Sequence, residues 1–178
     1  MRMLKGLLVI LCSAVCSIGA SAQDNGALSV LPSQGFQFTG NWECAGAFGN
    51  KKSHKSNFSG SMILGGKWLE LTEQDTEPVT GYLAKYLIGY DPQQKQLVEF
   101  DANNFGAATY SSEAGWQNDS LTMTSSLSSD PKASYVMNRF IYSVKGKDSF
   151  SVDWEIRRAA SSTWVPGDHL LCQRAAQG

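Results

Sequence analysis

The chain is poor in the residues on which metal, haem and acyl-transfer chemistry depend. It has two histidines, His54 and His169, and four cysteines, of which Cys12 and Cys16 fall in an N-terminal apolar run. Neither histidine lies at short ligand spacing from the other or from a cysteine, so no metal site is expected. A nucleophile elbow, a zincin helix and a phosphate-cradling loop are all missing; Gly65-Gly66 is followed by no Lys-Ser/Thr pair and no helix. The carboxylates Glu70, Glu73, Asp101 and Asp153 are spread along the chain without an acid/base signature. No catalytic residue and no cofactor are assigned, and the chain is read as a protein other than an enzyme.

An excess of charge of either sign is also lacking. The 15 basic and 16 acidic residues give a net charge of −1. That balance excludes the basic face expected of a nucleic-acid binder and gives no support to docking on anionic lipid. The one basic cluster, Lys51, Lys52 and Lys55, reads as a solvated turn, and His54 within it is expected to be exposed. Long apolar runs are confined to one, from about Leu7 to Ile18, shorter than the roughly 20 residues that span a bilayer. Arg2 and Lys5 precede it and Ala20-Ser21-Ala22 follows it, the pattern of an export signal over residues 1–22 with cleavage before Gln23. Leu11 and Val15 stand before the two cysteines where a lipoprotein signal needs a small residue, so no lipid anchor and no membrane insertion are expected after cleavage. A periplasmic or secreted protein of one domain is the expectation.

Helical periodicity is absent. Residues 23–34 form a polar leader read as a flexible tether, and residues 35–178 read as strand after strand. Strands are expected over about Phe36–Phe48, Ser53–Ile63, Lys67–Glu73, Gly81–Tyr90, Gln96–Asp101, Ala107–Glu113, Asp119–Ser126, Ser134–Val144, Ser149–Arg158 and His169–Ala175, with Asp75–Thr80 as a loop. Ten short strands separated by turn signals define an all-β fold, a sandwich or a barrel.

The two ends of this array mirror each other. Trp42-Glu43-Cys44 stands in the first strand and Cys172-Gln173-Arg174 in the last. In one antiparallel register Trp42 faces Arg174 while Cys44 faces Cys172, all on one side of the sheet. In an oxidising compartment Cys44 and Cys172 then form a disulfide; two buried free thiols are the alternative. The first and last strands pair and close a barrel.

Gly40-x-Trp42 on the first strand, with an arginine on the last, resembles the signature shared by lipocalins and their calycin relatives. Leu64-Gly65-Gly66-x-Trp68-Leu69, then Gly89-Tyr90-Asp91-Pro92 and Lys95, is similar to a bacterial domain-of-unknown-function family of exported calycin-like barrels. The resemblance covers about Phe36 to Arg174. It implies a single antiparallel calycin-like barrel, with Trp42 at a closed end and Arg174 packed across it as a structural pair.

Strand faces suggest where a ligand would sit. The stretch Phe150, Val152, Trp154, Ile156 alternates with Ser151, Asp153, Glu155, Arg157, as in a half-buried strand. Two other strands are apolar on both sides. Tyr82, Tyr86, Ile88 and Tyr90 oppose Leu83 and Leu87, and Tyr135, Met137 and Ile141 oppose Val136, Phe140 and Tyr142. Such strands need cover on both faces, which a barrel with a filled or ligand-holding interior and a covered or oligomeric exterior supplies. Arg139, among Tyr135, Met137 and Ile141, either lies at a rim, pairs with an internal carboxylate such as Glu99 or Asp101, or meets a bound carboxylate. Arg139, Tyr86, Tyr135 and Met137 are therefore the candidate ligand-binding residues, and the expected partner is a small apolar or amphipathic molecule. The alternatives are a structural or protein-interaction module with a filled barrel, and a haem barrel with His169 as axial ligand.

Overall fold

The computed structural model describes residues 27–159 and 161–176. Residues 1–22, read as the export signal, lie outside that range. Eleven antiparallel strands are present: β1 Gly40–Phe48, β2 Ser53–Ile63, β3 Trp68–Glu77, β4 Leu83–Asp91, β5 Gln96–Asn103, β6 Gly106–Ser112, β7 Trp116–Gln117, β8 Ser120–Ser125, β9 Met137–Gly146, β10 Ser149–Arg157 and β11 Trp164–Arg174. They hydrogen-bond in the order β6-β5-β4-β3-β2-β1-β11-β10-β9-β8. A β6–β8 contact returns the sheet on itself. Ten strands thus close a barrel, with the two-residue β7 outside it on β8. No helix occurs among the described residues.

The expected register holds at the chain ends. Trp42 is opposite Arg174 and Cys44 opposite Cys172 along the β1–β11 ladder, and the two cysteines are joined as a disulfide. Because side chains alternate, this phase turns Trp42, Cys44, Leu170 and Cys172 inward, all buried. The Arg174 guanidinium lies 4.1 Å from the Trp42 ring centre. It donates from Nη1 to the Thr39 carbonyl at 2.8 Å and from Nη2 to the Gln37 carbonyl at 3.0 Å.

Those carbonyls belong to the segment that stoppers this end of the barrel. Phe36 and Phe38, expected in the first strand, precede it and turn into the barrel mouth, where they pack on Trp42, Phe150 and Trp116. Trp42 Nε1 donates to the Phe38 carbonyl at 2.8 Å. The leader from Ala27 onward is also docked: Leu28, Val30 and Leu31 pack against the core, and Trp116 Nε1 donates to the Val30 carbonyl at 3.0 Å. β7 and the leader hold each other in place, which is why neither reads as structure on its own.

Above the aromatic stopper, Phe58, Leu69, Leu71, Ile88, Leu97, Leu121 and Met123 fill the middle of the barrel. The residues of the resemblance motifs serve the same scaffold. Gly65 and Gly66 turn β2 into β3 at φ +69° and +79°, values that glycine takes at little cost. Trp68 lies over Gly89 on the neighbouring strand, where a Cβ would stand 2.2 Å from the indole. Asp91 accepts from the Gln93 and Gln94 amides and shapes the next turn.

Besides the start of β1, the largest departures from the expected bounds are at β3, β9 and β11; β9 begins at Met137 instead of Ser134. β3 continues through Asp75 to Glu77, where a loop was expected, and β11 begins at Trp164 instead of His169. Pro166 and Gly167 look like strand breakers but form a bulge opposite Trp154 and Glu155. A Cβ on Gly167 would fall 2.2 Å from the Trp154 ring, so the close approach needs glycine.

Candidate functional site

The end of the barrel opposite the stopper is open. There the strands enclose a cavity of about 660 Å³, lined by inward side chains of β2 to β6 and β9 to β11 and by Phe48 of β1. Its walls are aromatic, with Phe48, Tyr82, Tyr86, Tyr110, Phe140 and Trp154, and acidic, with Glu73, Asp75, Asp101 and Asp168. The acids arise from strand phase: Glu73 and Asp75 continue the inward set Leu69, Leu71, and Asp101 continues Leu97, Glu99.

The polar centre of the wall is His54, which is 3% exposed and does not project into solvent as its lysine neighbours suggested. On β2 it shares the inward face with Ser56 and Phe58, while Lys55 faces out. Its Nδ1 is 2.8 Å from Asp168 Oδ2 and its Nε2 is 2.9 Å from Asp75 Oδ1. The Phe48 ring stacks on the imidazole at 4.2 Å. Burial opposes the charge, but the hydrogen bonds and charges of Asp168 and Asp75 outweigh it and push His54 up to about 9. At neutral pH both ring nitrogens therefore carry protons, each directed to a carboxylate.

Glu73 lies beside this clamp. Ser56 Oγ donates to its Oε1 at 2.9 Å and Tyr86 Oη to its Oε2 at 2.6 Å. Burial pushes Glu73 up to about 7, against the hydrogen bonds from Tyr86 and Ser56, which favour the anion. Tyr82 extends the chain, its hydroxyl 3.1 Å from that of Tyr86. Deeper in the barrel, burial pushes the fully buried Glu99 up to about 8, although Tyr142 donates to its Oε1 at 3.2 Å. Burial also raises Asp101, whose Oδ1 accepts from Asn103 Nδ2 at 3.0 Å.

Ser56, His54 and Asp168 superficially align as a nucleophilic triad, with Ser56 Oγ 3.1 Å from His54 Nε2. The same nitrogen already faces Asp75, and a doubly protonated imidazole has no lone pair to take the serine proton. Ser56 is also 1% exposed and lies outside the cavity lining. Ligand atoms of His54, Glu73 and Asp75 fall within 4.8 Å of one another, a spacing that fits a metal ion. In this arrangement they are engaged instead in the hydrogen bonds that link His54 to Asp75 and Glu73 to Ser56 and Tyr86.

Of the residues expected to meet a ligand, Tyr86 and Tyr135 line the cavity. Arg139 and Met137 do not. The inward residues of β9 are Asn138, Phe140 and Tyr142, which puts Arg139 on the outside. There its Nη2 and Nε bond Glu155 at 2.6 and 2.7 Å and its guanidinium lies 4.3 Å from the Trp164 ring centre. The internal partners considered, Glu99 and Asp101, are on the other side of the sheet. Met137 shares the outer face, where its thioether sulfur accepts from Arg157 Nη2. His169 also faces outward, bonded to Asp153 at 2.6 Å, so it offers no axial ligand to a group inside the barrel. Sequence reasoning passes over His54, Asp75, Tyr110 and Asp168 as cavity-lining residues. Strand parity is the signal that locates the first two.

A scan against protein-family models finds no match to this chain, and a search of the curated proteins finds no relative.

Proposed function

We propose that the protein is an exported carrier of the calycin-like kind, holding a small amphipathic molecule in the open end of its barrel. The single observation that carries this reading is the asymmetry of the interior: one half is packed with Phe36, Phe38, Trp42 and Phe150, while the other keeps about 660 Å³ lined by rings and a few polar groups. Ligand sites are typically concave, mainly apolar and furnished with a small number of placed polar groups. Export is supported by the N-terminal pattern and by the disulfide, a bond suited to an oxidising compartment. Membership of the domain-of-unknown-function family rests on the sequence motifs.

The test is titration with the neutral fluorescent probe N-phenyl-1-naphthylamine. Saturable binding of one probe per chain is expected. Ala108→Trp, which puts an indole into the cavity from β6, abolishes it while leaving the far-ultraviolet spectrum unchanged. Absence of saturable binding to the folded protein, or binding indifferent to Ala108→Trp, refutes the carrier reading and favours a module that acts through its outer surface.

A further inference from the structure

A carrier with this cavity still has a choice of ligand charge, and the polar groups of the wall decide it; the inference rests on the carrier reading. Asp75, Asp101 and Asp168 line the cavity together with Glu73, and among its lining residues His54 is the sole cationic side chain. No lysine or arginine is there to receive a carboxylate or phosphate. His54 neutralises one charge of the two aspartates that clamp it, so the wall keeps an excess of acid.

Most of this acid is already engaged. Asp75 receives hydrogen bonds from His54 and from Thr80, at 2.9 and 2.6 Å, and Glu73 from Ser56 and Tyr86. Asp101 differs. It is 6% exposed, Asn103 occupies its Oδ1, and its Oδ2 has no hydrogen-bond partner among the described residues. Tyr110 on the adjoining β6 is 4% exposed, lines the same cavity, and its hydroxyl likewise has no partner among them. Both oxygens open on the cavity, where water meets them; a ligand that displaces that water must replace its hydrogen bonds or leave each group unmet at a cost of about 1–3 kcal/mol. A cationic donor holds a carboxylate in its ionised form, which only accepts, so a cation that donates is the ligand group that complements Asp101 Oδ2. The surrounding rings add to the same preference, since ammonium groups are attracted to aromatic faces. Phe140 lies 5.2 Å from Tyr110, and Phe105 stacks on Tyr82 at the rim.

We propose that the cavity takes an organic cation, a primary amine with a hydrocarbon body, whose ammonium group donates to Asp101 beside Tyr110 while its apolar part lies against Phe140 and Phe105. An anionic amphiphile such as a fatty acid is rejected by the same carboxylates.

Calorimetric titration of the full chain with 4-phenylbutylamine, 4-phenylbutan-1-ol and 4-phenylbutyrate at neutral pH separates the three charge states at nearly constant size. The amine is expected to bind at least about tenfold more tightly than the alcohol, the increment of one charge-assisted hydrogen bond, and the carboxylate to bind weakest. Asp101→Asn removes that tenfold preference, bringing the amine to the affinity of the alcohol measured on the same variant. Tyr110→Phe, a smaller change to the fold, weakens the amine alone. Equal binding of amine and alcohol, tighter binding of the carboxylate, or an amine preference that survives Asp101→Asn overturns the proposal. It is also overturned if none of the three binds while the neutral probe still does, an outcome that leaves the carrier reading standing. Failure of the probe as well removes both.

Discussion

Arg174 shows how much one side chain can be asked to hold. Its planar guanidinium covers the Trp42 ring, reaches two carbonyls of the segment that stoppers the barrel, and directs Nε to Asp148 at 2.9 Å. Lysine keeps the charge but has no fork, so it cannot make the two carbonyl bonds while lying flat over the indole. Arg174→Lys is expected to lower stability by about 1–3 kcal/mol, the loss of a stacked cation and of hydrogen bonds to a charged donor. Urea unfolding monitored through tryptophan fluorescence measures it. A change within error of zero would mean that Phe36 and Phe38 hold the stopper without help. Gly89 and Gly167 belong to the same scale, because each lets an indole rest on bare backbone.

At the scale of elements, the ring of strands is uneven. The β1–β11 ladder joins residues 42–48 to 168–174 and carries the Cys44–Cys172 bond across a sequence separation of 128. The barrel is thinnest at β6–β8, where only Tyr110–Ser125 and Ser111–Thr124 are paired. Amide hydrogen exchange is therefore expected to be fastest for the β6 and β8 amides at that junction and slowest in β1, β2, β10 and β11. Replacing both cysteines by alanine is expected to cost about 2–5 kcal/mol, because the bond closes a loop of most of the domain. In the exchange profile it speeds β1 and β11 most. Uniform exchange around the ring would contradict the idea that the disulfide reinforces one side.

The same elements show what a linear sequence reveals. The β1–β11 register was legible because Trp42, Cys44, Cys172 and Arg174 are distinctive and mirror-spaced, and β2 has its expected bounds because Ser53 and Ile63 are flanked by turn residues. His54 was hidden by its neighbours in sequence. Three nearby lysines suggest a solvated turn, yet alternation sends Lys55 out and His54 in. The direction of Arg139 stayed open between rim, internal carboxylate and ligand for a related reason: its partner Glu155 lies directly opposite on β10, and no property of the β9 sequence names that pairing. Asp168 reaches His54 from 114 residues away, a contact that exists only once the barrel closes.

For the whole molecule, the buried ionisable groups inside the barrel make stability depend on pH in one direction. Burial raises Glu73 from 4.5 to about 7 and Glu99 to about 8, so each favours folding in its protonated form. The contribution of each is fully present below the unfolded value of 4.5 and is lost as pH rises through about 7 and about 8. His54 has the same sign: raised from 6.5 to about 9 by Asp168 and Asp75 against the effect of burial, it supports the fold fully below 6.5 and loses that support as pH rises through about 9. Since the three windows adjoin, the melting temperature is expected to fall steadily from mildly acidic to alkaline pH, by an amount on the order of a few kcal/mol in stability. Glu99→Gln isolates one part of the curve. It is neutral to within about 1 kcal/mol in acid, where Glu99 is already uncharged, and stabilising above pH 8, where the native chain holds a buried carboxylate with an unpaired Oε2. Thermal unfolding of both proteins across this range decides the matter: parallel curves, or a native protein whose stability rises toward alkaline pH, would mean that Glu99 finds a partner for its charge.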